Sequence, residues 1–274
     1  MDIACKVALV TGASRGVGRA VAIALAQAGA DVACAARATD GAPLPLPGTV
    51  DGTVRAVEAA GRRGLAVPTN LADPAQVERM VATTVAHFGR VDILINNAAI
   101  TFPGDLALAM KRYDLIMAVN LRAPLQAMQL VADGMRARRA GAIVNVSSAA
   151  ALFPVPGLMA YGMSKAAMER MTIDCAEQLR PFGVAVNTFR IDVPVASEGF
   201  VANLPDLDHD DWEPTEVPAD GILWMLRQPP AYTGHNVGMV ELRARHGIMP
   251  SRAKRPFAIP PDHPAYKEGH KEHQ

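Results

Sequence analysis

Cysteine is scarce in this chain. Cys5, Cys34 and Cys175 are the three in 274 residues, far apart and at no zinc or redox spacing, so neither a disulfide scaffold nor a thiolate metal site is expected. Cys34 lies in an apolar run and reads as a small buried side chain, and nothing suggests an oxidising compartment. Net charge is absent too: Lys+Arg and Asp+Glu are 27 each, which leaves no basic footprint for nucleic acid. The cluster Arg136, Arg138 and Arg139 reads as a solvated helix end. No uninterrupted apolar stretch reaches the roughly 20 residues needed to cross a bilayer. The run from Val21 is broken by Gln27, Gly29 and Asp31. Residues Met1 to Lys6 carry neither the basic start nor the apolar core of a secretory signal. The expectation is a cytoplasmic protein with no nucleic-acid or membrane partner.

What the chain does have is alternation. Short β-branched runs at Val7–Val10, Asp31–Ala36, Leu65–Val67, Val91–Ile95, Ala142–Val146 and Val184–Asn187 are separated by longer amphipathic segments, and Asn236–Val240 could add a last strand. Gly16 to Ala28 reads as a helix ended by Gly29. Asp73-Pro74 starts another, with Asp as N-cap and Pro at the first helical position, which stops at Gly89. Further helices are expected near Lys111 to Ala140 and from Tyr161 to Leu179. This pattern predicts an α/β fold: a single-domain, Rossmann-type, doubly wound parallel sheet of about seven strands with helices on both faces. The domain is expected over residues 1–249, with a substrate lid at about 193–228, and 250–274 as an extended tail. Four of the seven histidines fall from His246 to His273, where a solvated tail is a better reading than a metal site, and no metal is expected.

Thr11-Gly-Ala-Ser-Arg-Gly-Val-Gly18 lies between the first strand and its helix. Glycines there let backbone approach a pyrophosphate, and a helix N-terminus offers free N–H groups and a partial positive charge. Gly12, Ser14, Arg15, Gly16, Val17 and Gly18 are therefore candidate dinucleotide-binding residues. Cofactors with a free ribose 2′-hydroxyl usually meet an acid at the end of the second strand. This strand ends in Ala35-Ala36-Arg37, with no acid before Asp40. Arg37, seconded by Arg15, suits a 2′-phosphate, which predicts NADP(H) over NAD(H).

Ser148, Tyr161 and Lys165 spell a proton-transfer site: a hydroxyl thirteen places before a tyrosine, and a lysine four after it. The i,i+4 spacing puts phenol and ammonium on one helix face. A phenol titrates near ~10, and an adjacent cation is expected to lower that value toward the working range.

These motifs, together with Asn96-Asn97-Ala98-Ala99, Asn120 and Ser147-Ser148, occur in the order found in the short-chain dehydrogenase/reductase family, which the chain resembles from about Lys6 to Asn187. The resemblance implies that Tyr161 exchanges a proton with a carbonyl or alcohol and that Lys165 lowers the phenol's pKa and holds the nicotinamide ribose. It implies that Ser148, rather than Ser147, bonds the substrate oxygen, and that Asn120 anchors a water relaying protons from Lys165. Asn97, Ala98 and Ala99 would flank the cofactor, Asn70 and Leu71 meet its adenine, and Ile191 stand where a proline usually meets the nicotinamide amide. Ala-Ala-Arg37 with the Leu-Pro-Gly-Thr49 segment resembles the hydroxysteroid-dehydrogenase-like branch.

The chain departs from the family at Ile191-Asp192, where Pro-Gly is usual. Arg190 and Asp192 could form a local ion pair shaping the lid, or recognise a charged substrate. Leu152, Phe153, Val155, Pro156, Leu158, Met159, Phe200, Trp212 and Trp224 suit a substrate with an apolar body, or merely a lid packed on its sheet. The acidic stretch Leu204–Glu216 reads as a mobile, solvated surface. The helices near Lys111 and at Ala160 commonly carry oligomer contacts in the family, implying a homodimer or homotetramer, although Ala123, Ala127 and Leu130 could equally pack on the sheet. The reading is an oxidoreductase moving a hydride between NADP(H) and a carbonyl or secondary alcohol. The rivals are an NADP(H) sensor without turnover and a lyase or isomerase using the same tyrosine.

Overall fold

The computed structural model describes residues 1–258. Of the expected 250–274 tail, residues 259–274 with His263, His270 and His273 lie outside the described residues, while Arg252, Lys254 and Arg255 are bonded to the body of the protein. Seven parallel strands form one sheet in the order β3-β2-β1-β4-β5-β6-β7: β1 (Val7–Thr11), β2 (Asp31–Ala36), β3 (Gly64–Pro68), β4 (Ile93–Asn96), β5 (Gly141–Ser148), β6 (Val184–Ile191) and β7 (Asn236–Gly238). Strand order reverses between β1 and β4, and the crevice beyond the carboxyl ends of those strands is where such sheets bind ligands.

Helices cover both faces. On one side lie α1 (Gly16–Gln27) and α2 (Val50–Ala59), and on the other α3 (Pro74–Phe88), α4 (Met110–Met117), α5 (Ala123–Arg138) and α6 (Met159–Leu179). The short α7 (Glu198–Asn203) follows β6; α8 (Glu216–Arg227) and α9 (Met239–His246) return to the α1 face. Parallel strands buried on both faces are continuously apolar, which is why all five residues of β1 and all four of β4 are buried.

The helix expected near Lys111 to Ala140 is interrupted. Residues Ala118–Arg122 form a π-helical turn, with Ala123 N donating to the Ala118 carbonyl. Pro124, in the first turn of α5, lacks the N–H that would donate to the Asn120 carbonyl in a regular α-helix. Met110–Arg138 as a whole is long and apolar enough to span a bilayer by length and composition. Half of its most apolar window is buried inside the protein, and Ala123, Ala127, Met128, Val131 and Met135 are all core, as in a globular interior. Ala123 and Ala127 are thus sheet packing, whereas Leu130 is 39% exposed.

The acidic stretch after α7 is tied down. Asp208 and Asp210 pair with Arg255 and Lys254, and Phe200 stacks on Trp212 at 4.6 Å. Glu213, 1% exposed, accepts from Arg243 Nη2 at 2.6 Å and from the backbone N of Arg252 at 2.8 Å. Trp224 lies against Tyr232 and His246 instead of lining the substrate end. All three cysteines are free thiols, and burial pushes that of Cys34 up to about 12.

Candidate active site

The site is assembled at the carboxyl ends of β1, β4, β5 and β6. β5 ends in Ser147-Ser148, and consecutive strand residues point to opposite sides. Ser147 turns inward, donating to Glu169 Oε1 at 2.7 Å. Ser148 turns outward, accepts from Ala150 N to cap the 3₁₀ turn Ala149–Ala151, and hydrogen-bonds the Tyr161 phenol. Tyr161 is half-buried in the first turn of α6. Gly162 lets that turn lie close, because a Cβ there would stand 2.6 Å from the Ala150 carbonyl oxygen.

One turn on, Lys165 is 2% exposed and donates from Nζ to the Val146 carbonyl at 2.7 Å. Its ammonium stands 5.6 Å from the Tyr161 ring centroid. Burial lowers its pKa to about 8, with the Glu169 carboxylate opposing. The phenol departs from expectation: burial raises its pKa, and the Ser148 hydrogen bond opposes this only in part. One of the three Lys165 ammonium protons goes to a strand carbonyl, and the desolvation that isolates the phenol outweighs the help it receives from Ser148.

Asn120, in the π turn, is fully buried. Its Oδ1 accepts from Ile100 N at 2.9 Å, while Nδ2 donates to the Ile100 carbonyl at 2.9 Å and to Ser164 Oγ at 3.1 Å. Both amide protons are spent, so the side chain ties the loop after β4 to α6 and has no donor left for a relay water.

The glycine turn is braced from β4. Asn97 Nδ2 donates to the Thr11 carbonyl at 2.9 Å, and Thr11 Oγ1 accepts from the backbone N of Asn97 and Ala98. Gly18 is obligatory, since a Cβ there would lie 2.3 Å from the Gly12 carbonyl oxygen. The residues present fit a dinucleotide. Helix α1 has no side-chain cap and no acid in its first turn, and an anionic group already rests there: Glu198 Oε2, from α7, accepts from Gly16 N at 2.8 Å. That carboxylate stands where a phosphate oxygen would be held.

Past β2, Arg37 is exposed; burial lowers the pKa of Arg15, Glu198 opposes, and the nearby Arg37 cation lowers it further. Asp40 is engaged by Arg55 at 2.7 Å and Thr49 at 2.6 Å. After β3, Asn70 is exposed and Leu71 is a core side chain, so only the backbone and rim of that pair face outward. Ala99 is exposed, and Ile191 is half-buried beside Ser148 in the β5–β6 register.

The Arg190–Asp192 expectation is corrected. Arg190 forks onto Glu169, Nε to Oε1 at 2.8 Å and Nη2 to Oε2 at 2.6 Å. Asp192 adds to the field at Arg190, but its Oδ1 accepts from Val240 N in the first turn of α9. Glu169 and Glu198 were not picked out from the sequence. Glu169 could have been, standing four residues after Lys165 on the same helix face.

The short chain dehydrogenase family model matches residues 6–193. The chain belongs to that family. As a short-chain dehydrogenase/reductase it shares an oxidoreductase family's fold. It is 31% identical over 258 residues to hydroxysteroid dehydrogenase-like protein 2 of Danio rerio, covering 93% of this chain and 61% of that protein, so it spans about three-fifths of that relative's length. It is 37% identical over 202 residues to an uncharacterised NAD-dependent oxidoreductase of Mycobacterium tuberculosis, covering 69% of this chain and 73% of the relative. A putative dehydrogenase structure from Xanthomonas campestris superposes with a TM-score of 0.83 at 31% identity, covering 95% of this chain and 98% of that one. A metagenomic short-chain oxidoreductase in complex with NADP gives 0.71 at 26% identity, covering 87% and 98%.

Burying the Lys165 ammonium has a cost that pH should reveal. The unfolded lysine keeps its proton up to its ordinary value of 10.5 and the folded one to about 8. Between these values the unfolded state binds more protons, so stability from this group rises with pH, and the penalty is fully present below about 8. Lys165→Met is expected to stabilise the fold at pH 7 by about 1–3 kcal/mol in urea titrations. The gap should close as pH rises through that window.

Proposed function

We propose that this protein is an NADP(H)-dependent oxidoreductase acting on a carbonyl or secondary alcohol with an apolar body. The observation that carries the proposal is the Ser148–Tyr161 hydrogen bond at the open end of β5, with the Lys165 ammonium against the same ring. When bound, the cofactor supplies the nicotinamide carbon that gives or takes hydride. Gly12, Ser14, Arg15, Gly16, Val17 and Gly18 would hold its phosphates, Asn97, Ala98 and Ala99 its flank, and Asn70 and Leu71 its adenine. Tyr161 and Lys165 would hold the nicotinamide ribose and Ile191 the amide.

In the reducing direction Ser148 donates a hydrogen bond to the substrate oxygen, and Tyr161 passes its phenolic proton to that oxygen. Burial keeps the phenol protonated at neutral pH, as a proton donor requires. The Lys165 ammonium stabilises the phenolate left behind. With the Asn120 amide spent, its main-chain carbonyl, to which Pro124 cannot donate, is the place for a relay water. Leu152, Val155 and Met159, each close to two-fifths exposed, supply an apolar mouth.

Arg37 and Arg15 support the NADP(H) preference, as does the engagement of Asp40 by Arg55 and Thr49. Arg15 Nε is buried with no hydrogen-bond partner among the described residues, a donor suited to a phosphate. The relatives divide, one being described as NAD-dependent and one solved structure containing NADP. Three free thiols support a reducing compartment such as the cytoplasm. Leu130, Met163 and Ile173, exposed on α5 and α6, support a homo-oligomer through those helices.

Followed by NADPH absorbance against a panel of apolar ketones and aldehydes, Tyr161→Phe should lose about 10²–10⁴-fold in rate. Retention of more than about a tenth of the rate would contradict the proton-donor role, and turnover without stoichiometric NADPH consumption would favour a lyase or isomerase. NADPH should bind more tightly than NADH, and Arg37→Ala should erase about tenfold or more of that preference while sparing NADH. Because Glu198 rests on Gly16 N, Glu198→Gln should tighten NADPH binding by up to about tenfold in fluorescence titrations.

A further inference from the structure

Tyr161, Lys165 and Glu169 follow one another at single-turn intervals on α6, and the first two have assigned work. Glu169 is 7% exposed. Its Oε1 accepts from Ser147 Oγ at 2.7 Å and Arg190 Nε at 2.8 Å, and its Oε2 from Arg190 Nη2 at 2.6 Å. Ser147 and Arg190 are register partners on β5 and β6, directly before Ser148 and Ile191. With Lys165 Nζ on the Val146 carbonyl, two successive residues of β5 are bolted to α6 immediately before the residue that meets Tyr161.

A buried carboxylate–guanidinium pair is no gift to stability, since apolar side chains of similar volume often do as well or better. Its charge, however, falls where a second cation is buried. Lys165 faces Tyr161 and Glu169 on its own helix and the Val146 carbonyl on β5; Arg190, on β6, faces Glu169 and feels Asp192 and Glu241 of α9. Glu169 is thus bonded to one cation, Arg190, and stands one helical turn from the other, Lys165.

We propose that Glu169 is a positioning residue of this site: through Ser147 and Arg190 it fixes the strand end presenting Ser148, and its carboxylate is the counter-charge that keeps Lys165 an ammonium. The inference rests on the proposed role of Lys165 and Ser148, and is tested without cofactor or substrate.

The chain has six lysines, so the Cε signals of ¹³C-lysine-labelled protein can be followed by NMR through a pH titration, with Lys165 assigned by its disappearance in Lys165→Arg. The wild-type midpoint is expected near the value of about 8 that burial sets. Glu169→Gln keeps the shape and removes the charge, and should lower the midpoint by about one pH unit or more. Arg190→Met leaves the carboxylate to Lys165 alone and should raise it. Glu169→Asp, which keeps the charge, should restore the wild-type midpoint. A folded Glu169→Gln protein, or, where that variant fails to fold, a folded Arg190→Met protein, whose Lys165 midpoint stays at the wild-type value overturns the inference. Failure of the Tyr161→Phe rate test would instead remove the proposed oxidoreductase role, a separate outcome.

Discussion

Everything chemical in this protein depends on how closely the first turns of α6 approach the end of β5. Tyr161 meets Ser148, and Lys165 reaches the Val146 carbonyl, only because Gly162 has no Cβ to hold the helix off the Ala150 carbonyl. Deeper in, a buried polar chain continues the same seam. Asn96 donates to Asn145, Asn145 to Thr172 of α6, and Thr188 of β6 to that same threonine hydroxyl. In an apolar interior each such group would be costly unpaired, so together they admit one register of helix on sheet. Apolar packing alone would tolerate sliding; this ladder does not.

Most of the scaffold was legible in the sequence because parallel strands buried on both faces have to be uniformly apolar. α3 was legible to the residue: Asp73 caps it by accepting from Ala75 N, Pro74 opens it, and Gly89 closes it at φ 86°. Four helices escaped: α2, α7, α8 and α9, the last of which takes Met239 and Val240 from the expected strand. α2 begins at Val50, capped by Thr49 straight after a proline-rich loop that masks its first turn, and α8 carries Pro218 and Gly221, both poor helix formers. The π turn had no compositional mark of its own beyond Pro124, since α and π turns draw on the same residues.

The site residues divide similarly. Ser148, Tyr161 and Lys165 lie together, Asn120 is tied to Ile100 and to Ser164 beside Lys165, and Ser147 is turned to Glu169 instead. Long-range partners could not be read. That Arg190 belongs to Glu169 rather than to Asp192, two places away, depends on β6 lying beside β5 and under α6. The unusual Ile191-Asp192 pair gains its reason only once α9 is folded back, with Asp192 at its amino end. Local sequence specifies what each segment can be, and tertiary contact decides which charges meet.

The Glu213 carboxylate has a bearing on how the chain is made. It is sealed in the interior and satisfied by Arg243 and by the backbone of Arg252, 30 and 39 residues later. A ribosome delivers those partners only after β6 and α8 have emerged. The segment between β6 and α8 therefore cannot settle until residues 243–252 are made, and the half of the molecule carrying β1 to β5 must stand for that interval without it.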